Sequence, residues 1–256
     1  FIMLMIALLS LLPAKKRLIP KLGLLFLLAA ATNIEVDSNH RSKPDSGPFV
    51  VAIQAEPIVS RQATTLKEIL TLLDKSIEKY PHADIIGLPE LMFFDSPPYE
   101  ILSWCRNNRR YLVVGGFEET NVQARKGYNT AFVVSPQGRI VFKQAKSVPV
   151  PFLDGAYAMP ARRQQLWDSP WGKIGICICY DLSFTRVTDR LIRLGAEAII
   201  VPSADMLYWA SHEHRLHAMV APTRAAEYSV SVFRIANSIS QLVSPTGRII
   251  VSAPSA

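Results

Sequence analysis

Lys173-Ile174-Gly175-Ile176-Cys177-Ile178-Cys179-Tyr180-Asp181 is the stretch that decides how this chain is read. Isoleucines alternate with small residues and then give way to polar ones. The pattern predicts a buried β-strand over 173–179 that ends in a polar corner. Such a strand carries a thiol to its C-terminal end and leaves the N–H of Tyr180 to face a ligand. A nucleophile with an oxyanion site beside it needs that arrangement. A cysteine taken alone is more often a small core residue, so the reading needs partners for Cys179. Cys177 and Cys179, two apart, are expected to share a face of the strand rather than form a bridge. With Cys105 they make three cysteines, too few for a disulfide framework.

Two residues upstream supply candidate partners. Glu90 closes the apolar run Asp84-Ile85-Ile86-Gly87-Leu88-Pro89-Glu90, which places a carboxylate at the rim of a sheet. Lys146 follows a predicted strand and precedes the stiff segment Ser147-Val148-Pro149-Val150-Pro151-Phe152, which favours an inward-held side chain. Taken singly, a solvated Glu and a solvated Lys are the plainer readings, with Lys143 the rival ammonium. Taken with Cys179, they make a working set. The carboxylate takes the thiol proton, the thiolate attacks a carbonyl or nitrile carbon, and the ammonium with the Tyr180 N–H holds the oxyanion.

Around these residues the pattern alternates. Strands are predicted at 49–54, 84–88 and 111–117, with an amphipathic helix at 64–80 whose apolar face carries Leu66, Ile69, Leu70, Leu73 and Ile77. A hairpin joins 128–135 to 139–143 about Pro136-Gln137-Gly138, and a strand at 165–168 precedes the cysteine strand. Beyond it come a helix at 186–194, a strand at 196–202, a helix at 212–227, a strand at 231–236 and a last hairpin, 240–244 with 248–252. Strand–helix units mixed with hairpins predict a layered α/β domain with mixed sheets.

On these motifs the chain resembles the nitrilase, or carbon–nitrogen hydrolase, superfamily over about residues 49–252. Glu90 in Gly-Leu-Pro-Glu, Lys146 before Val-Pro-Val-Pro-Phe and Cys179 in Cys-Tyr-Asp match the family's triad in chain order. Tyr128-Asn129-Thr130-Ala131, Arg224-Ala-Ala-Glu227 and Arg234-x-x-Asn237 are also similar to it. The resemblance implies a four-layer α-β-β-α sandwich, a covalent thioester or thioimidate, no metal and no organic cofactor. It implies that Asp154, where Glu is common, braces the site. Family members commonly pair, so a homodimer is a further implication. Within the superfamily the chain is similar to the apolipoprotein N-acyltransferase branch in its Lys146-to-Phe152 spacing and its Cys-Tyr-acid signature. Asp181 replaces that branch's usual Glu, and Ser203-Ala204-Asp205-Met206-Leu207-Tyr208-Trp209 departs from its usual pattern.

Other residues are candidates for supporting roles. Tyr208 and Trp209 could line an acyl or aromatic pocket, with core packing the alternative. His212, His214 and His217 have the look of a metal motif, but only His214 and His217 share a helical face. Substrate contact by His214 is therefore the better expectation than metal binding. Arg224, Glu227 and Asp181 join Tyr180 and Asp154 as supporting candidates.

Residues 1–34 read differently. An apolar run over 1–12, the cluster Lys15-Lys16-Arg17 with Lys21, and a second apolar run over 22–31 fit membrane-spanning segments about a basic loop. A signal peptide beginning at Lys15 and a buried helical hairpin are the other readings. Under the first, the loop is cytoplasmic and the domain after the linker at 35–48 is membrane-anchored on the extracytoplasmic side. Net charge is +7, but those four residues supply four of the positive charges, and no basic stripe interleaved with aromatics points to nucleic acid. The expected activity is Cys-dependent hydrolysis of a small amide or nitrile. Acyl transfer from a phospholipid to a protein amine is the close alternative, and an inactive membrane-tethered binding module is the alternative of another class.

Overall fold

A computed structural model describes residues 47–121, 126–151, 154, 157–205 and 210–253 of the chain. Two mixed sheets face each other. In the first the order is β1 (Val50–Ala52), β2 (Ile85–Gly87), β3 (Tyr111–Asn121), β4 (Lys126–Val134) and β5 (Ile140–Ala145), with β1, β2 and β3 parallel and the rest antiparallel. The second runs from β6 (Leu166–Ser169) through β7 (Gly172–Ile176), β8 (Ala198–Ser203), β9 (Ser231–Ala236) and β10 (Ser240–Val243) to β11 (Ile249–Ala253). Its centre, β7–β8–β9, is parallel.

Strand alternation explains the layers. Ile85, Val113 and Val133 of the first sheet meet Ile174, Ile176, Ile200 and Ile235 of the second in one buried cluster. The opposite face of the first sheet, through Ile86, Leu112, Val114 and Phe132, packs on α1 (Leu66–Lys79) and α2 (Tyr99–Asn108). The opposite face of the second, through Ile199, Val201 and Val232, packs on α3 (Thr185–Arg193) and α5 (Val220–Tyr228). The result is an α-β-β-α sandwich. Thr65 and Glu68 cap α1 reciprocally, which fixes its start one turn before the buried Ile69 and Leu73.

Three expectations need correction. The helix expected over 212–227 is two helices, α4 (Ser211–Ala218) and α5, because Pro222 has no N–H to give and its ring would crowd the carbonyl of Ala218. The strand expected to reach Cys179 stops at Ile176, and Cys179 opens a 3-10 turn, Cys179–Ser183. Cys177 and Cys179 therefore do not share a face. Cys177 points into the helix-side cluster, and by strict alternation Cys179 would follow it. Instead Cys179 adopts φ 50°, a left-handed conformation rare for a non-glycine residue, and joins the cluster between the sheets.

No helix among the described residues is long and apolar enough to cross a membrane. The segments expected to do so, within residues 1–34, lie outside the described residues, as does most of the linker.

The elbow at Cys179 is held from two sides. Asp181, fully buried, accepts hydrogen bonds from the N–H of Ser147 (3.0 Å), Val148 (2.7 Å) and Ile178 (3.1 Å). One carboxylate thus ties the segment after Lys146 to the approach to Cys179. Arg224 on α5 donates to the carbonyls of Leu182 (3.0 Å) and Ser183 (3.1 Å), fixing the far end of the turn. Burial pushes the Asp181 carboxyl up to about 6, against the pull of the N–H groups it accepts from. The folded protein therefore keeps a proton there that the unfolded chain sheds near pH 4, so this group's contribution to stability falls as pH rises from about 4 to 6. The loss amounts to about 3 kcal/mol. Urea unfolding of wild type and Asp181→Asn across pH 4–7 checks this. Wild type should gain on the variant as pH falls through that window, and a difference independent of pH would contradict the assignment.

Candidate active site

The site forms where the parallel strands end. Past β2 the chain turns at Pro89–Glu90, and Leu91 takes φ 55°, a second left-handed non-glycine residue beside the site. Gly115 on β3 allows the close approach, since a Cβ there would lie 2.5 Å from the Glu90 Cα and 2.6 Å from the Leu91 N. Glu90 is only 2% exposed, yet three donors satisfy it. Its Oε1 accepts from Asn129 Nδ2 on β4 (2.6 Å) and from Lys146 Nζ (2.8 Å). Its Oε2 accepts from the Ala204 N–H just past β8 (2.9 Å), so this carboxylate joins the two sheets.

Lys146, immediately after β5, is also 2% exposed. Its backbone N–H bonds the Asn129 carbonyl (2.8 Å), and its ammonium donates a second bond to Asp154 Oδ2 (2.9 Å). Asp154 is steadied in turn by the Val150 N–H. Burial opposes the Lys146 charge, but the carboxylate of Glu90 first, then Cys179 and Asp154, hold it protonated well above the usual lysine range.

Cys179 is 6% exposed, with its Sγ 3.9 Å from the Ala204 carbonyl. Burial and then the Glu90 charge push its thiol well above the ordinary range, while Lys146 pulls the other way. The resting species is the thiol, so a base must take its proton as it reacts.

These groups floor a cavity of about 920 Å³ whose walls are largely apolar: Val59, Leu91, Val150, Pro151, Leu216 and Val220. Tyr180 also lines it, its ring edge-on to Phe184 at 4.9 Å between centroids.

A second buried polar cluster stands at the cavity wall. Asp205 pairs with His217 Nδ1 (2.6 Å) and with Arg234 (2.8 Å) and accepts from Ser238 Oγ. Burial disfavours its charge, but the bond to His217 and the Arg234 guanidinium overcome this and hold it well below the usual carboxylate range. Asn237 clamps the Asp205 backbone in both directions, accepting from its N–H (2.8 Å) and donating to its carbonyl (2.9 Å).

The residues expected from sequence fall into groups. Glu90, Lys146, Cys179, Asp154 and Tyr180 come together at the cavity. Asp181 and Arg224 lie behind the elbow and position it, and Glu227 pairs with Arg224 rather than facing the cavity. His214 is a correction: it is buried on α4, and His217, one turn on, lines the cavity instead. Tyr208 and Trp209 lie outside the described residues. Among the described residues no group of three His, Cys, Asp or Glu side chains is arranged to hold a metal. Asn129, Asp205, Arg234 and Asn237 were not assigned roles from sequence. The signal was there for two of them: Asn129 and Arg234 interrupt otherwise apolar strands, and a buried polar residue in such a run must be paired.

Comparison with known proteins places this arrangement in a family. Omega-amidase Nit3 of Saccharomyces cerevisiae is 24% identical over 80% of this chain and 82% of its own length. A formamidase of Bacillus thuringiensis is 27% identical over 62% of this chain, a match spanning 54% of the formamidase. Among solved structures, S. cerevisiae Nit3 aligns with a TM-score of 0.67 at 22% identity, covering 80% of this chain and 85% of that one. A carbon–nitrogen hydrolase of Helicobacter pylori aligns at 0.70 and 17%, covering 81% and 86%. These structural likenesses establish the shared fold. A sequence profile described as carbon-nitrogen hydrolase matches residues 49–256, and the chain belongs to that family.

Proposed function

We propose that this protein is an amidase-type hydrolase that cleaves a carbon–nitrogen bond through an acyl-enzyme on Cys179. The observation that carries the reading is the convergence of Glu90, Lys146 and Cys179, from three separate strand ends, on the floor of one cavity. The family's named members support it: omega-amidase, formamidase and amidase. In the Nesterenkonia amidase, the acetamide moiety of fluoroacetamide adds covalently at the active-site cysteine.

In this mechanism Glu90 takes the Cys179 proton as Sγ bonds to the amide carbon. The oxyanion is held by Lys146 Nζ and the Tyr180 N–H. Collapse breaks the C–N bond, and Glu90 returns the proton to the departing amine. Glu90 then takes a proton from water, hydroxide attacks the thioester, and the acid leaves as the thiol is restored with the same proton. Asp154 and Asn129 keep Lys146 and Glu90 aimed. An inactive binding module would have no use for a buried thiol and carboxylate maintained against their desolvation cost.

Substitution separates these roles. Cys179→Ala should abolish turnover of short amides. Glu90→Gln should lower kcat by about 10²–10⁴ and slow iodoacetamide labelling of Cys179 at pH 7 by at least about tenfold. Lys146→Met should lower kcat by about 10²–10³ through loss of an oxyanion donor. It should also destabilise the fold by about 3–5 kcal/mol, because Glu90 and Asp154 lose their shared cation. Turnover retained by Cys179→Ala would refute the reading.

The second reading, transfer of an acyl group to an amine, is favoured by the apolar walls of the cavity. If those walls receive the acyl chain, kcat/KM for linear amides should rise up to about fourfold per added methylene until the walls are filled. Supplying a primary amine with the best of these amides separates the fates: free acid as the sole product supports hydrolysis, and an N-acyl amine supports transfer.

A further inference from the structure

A smaller cavity, about 320 Å³, opens beside Ser147, the residue after Lys146. Four arginines line it: Arg162 and Arg163 from the loop before β6, and Arg186 and Arg190 from α3. No carboxylate lines it, and among the described residues none of the four has an ion-pair partner. Arg186 lies over the Phe184 ring, 4.8 Å from its centroid.

Nothing in the fold repays this arrangement. Arg186 stands in the first turn of α3, which carries no acidic residue, so its charge opposes the helix dipole. Arg186 and Arg190 are one turn apart with like charge, which destabilises a helix. Gln164 adds an independent sign. It lines the same cavity at 8% exposure, its Nε2 bonded to Ser147 Oγ and its Oε1 without a partner among the described residues. A half-turn of the amide lets its oxygen take the Ser147 hydroxyl proton and turns its NH₂ toward the cavity.

We propose that this cavity binds a phosphate-bearing ligand, with the four guanidiniums clamping the phosphate oxygens and the Gln164 amide donating from the floor. Guanidinium forks match phosphate in pairs, and the volume lies at the small end of ligand sites, which suits a mono- or diphosphate group. The group could be borne by a soluble molecule or by a lipid headgroup, since the chemistry is the same. The site is separate from the Cys179 cavity and is read without any assay of turnover.

The test uses the full chain at fixed ionic strength. Inorganic phosphate and pyrophosphate are titrated by calorimetry and thermal shift, and flotation is measured with vesicles of phosphatidic acid and of phosphatidylcholine. Saturable binding of pyrophosphate indicates a soluble ligand. Capture by phosphatidic acid in excess of phosphatidylcholine, without soluble binding, indicates a headgroup. In either case Arg186→Gln/Arg190→Gln should weaken the interaction at least tenfold and raise the ligand-free Tm by about 1 °C, as the like charges are removed. Arg162→Gln/Arg163→Gln, on a different element, should weaken it as much. Lys67→Gln/Lys75→Gln, the same charge change on α1 of the other helical layer, should leave it within twofold. Absence of binding to every probe, or equal weakening by the lysine variant, would overturn the proposal.

Discussion

The ammonium of Lys146 lies between two carboxylates, 2.8 Å from Glu90 and 2.9 Å from Asp154, almost out of reach of water. Three buried charges tolerate such a place only if every oxygen and proton finds a partner. That requirement reaches through the whole sandwich. Asn129 must come from β4, the Ala204 N–H from the end of β8 in the opposite sheet, and the Val150 N–H from the loop that carries Asp154. Slippage of either sheet by one residue would leave a charge uncompensated, so the chemistry and the register of the fold are secured together.

The same constraint accounts for the backbone strain. A regular strand would send Cys179 after Cys177 into the helix-side layer, away from Glu90. The left-handed φ at Cys179 turns the thiol to the inter-sheet side, and Asp181 and Arg224 hold the turn there through backbone groups alone. Leu91 carries a matching left-handed φ on the Glu90 side. Strain is thus confined to the two corners that present the reacting groups, where neighbouring hydrogen bonds over-determine it.

Much of this was legible in the sequence because it is periodic or local. Alternation at Ile174-Gly175-Ile176 marks β7, and Leu66, Ile69 and Leu73 mark the buried face of α1. What escaped depends on tertiary contact. The sign of φ at Cys179 is not a matter of hydrophobic pattern. His217 rather than His214 faces the cavity because Asp205, from a distant strand end, draws it there. The break before α5 was legible in principle from Pro222, but the apolar and polar periodicity on both sides of it outweighed that one residue. Asn129 and Arg234 were visible as polar interruptions, but their partners come from elements remote in sequence.

The central claim is that Cys179, alone of three buried cysteines, is driven to bond with a substrate carbon by the carboxylate beside it. Intact-mass spectrometry with peptide mapping, on protein quenched in acid during turnover of a short amide, tests it most directly. The account predicts a mass increase equal to the acyl group, located on Cys179, discharged by hydroxylamine and missing from Cys179→Ala. Turnover with no acylated species, or an adduct mapped to Cys105 or Cys177, would contradict it.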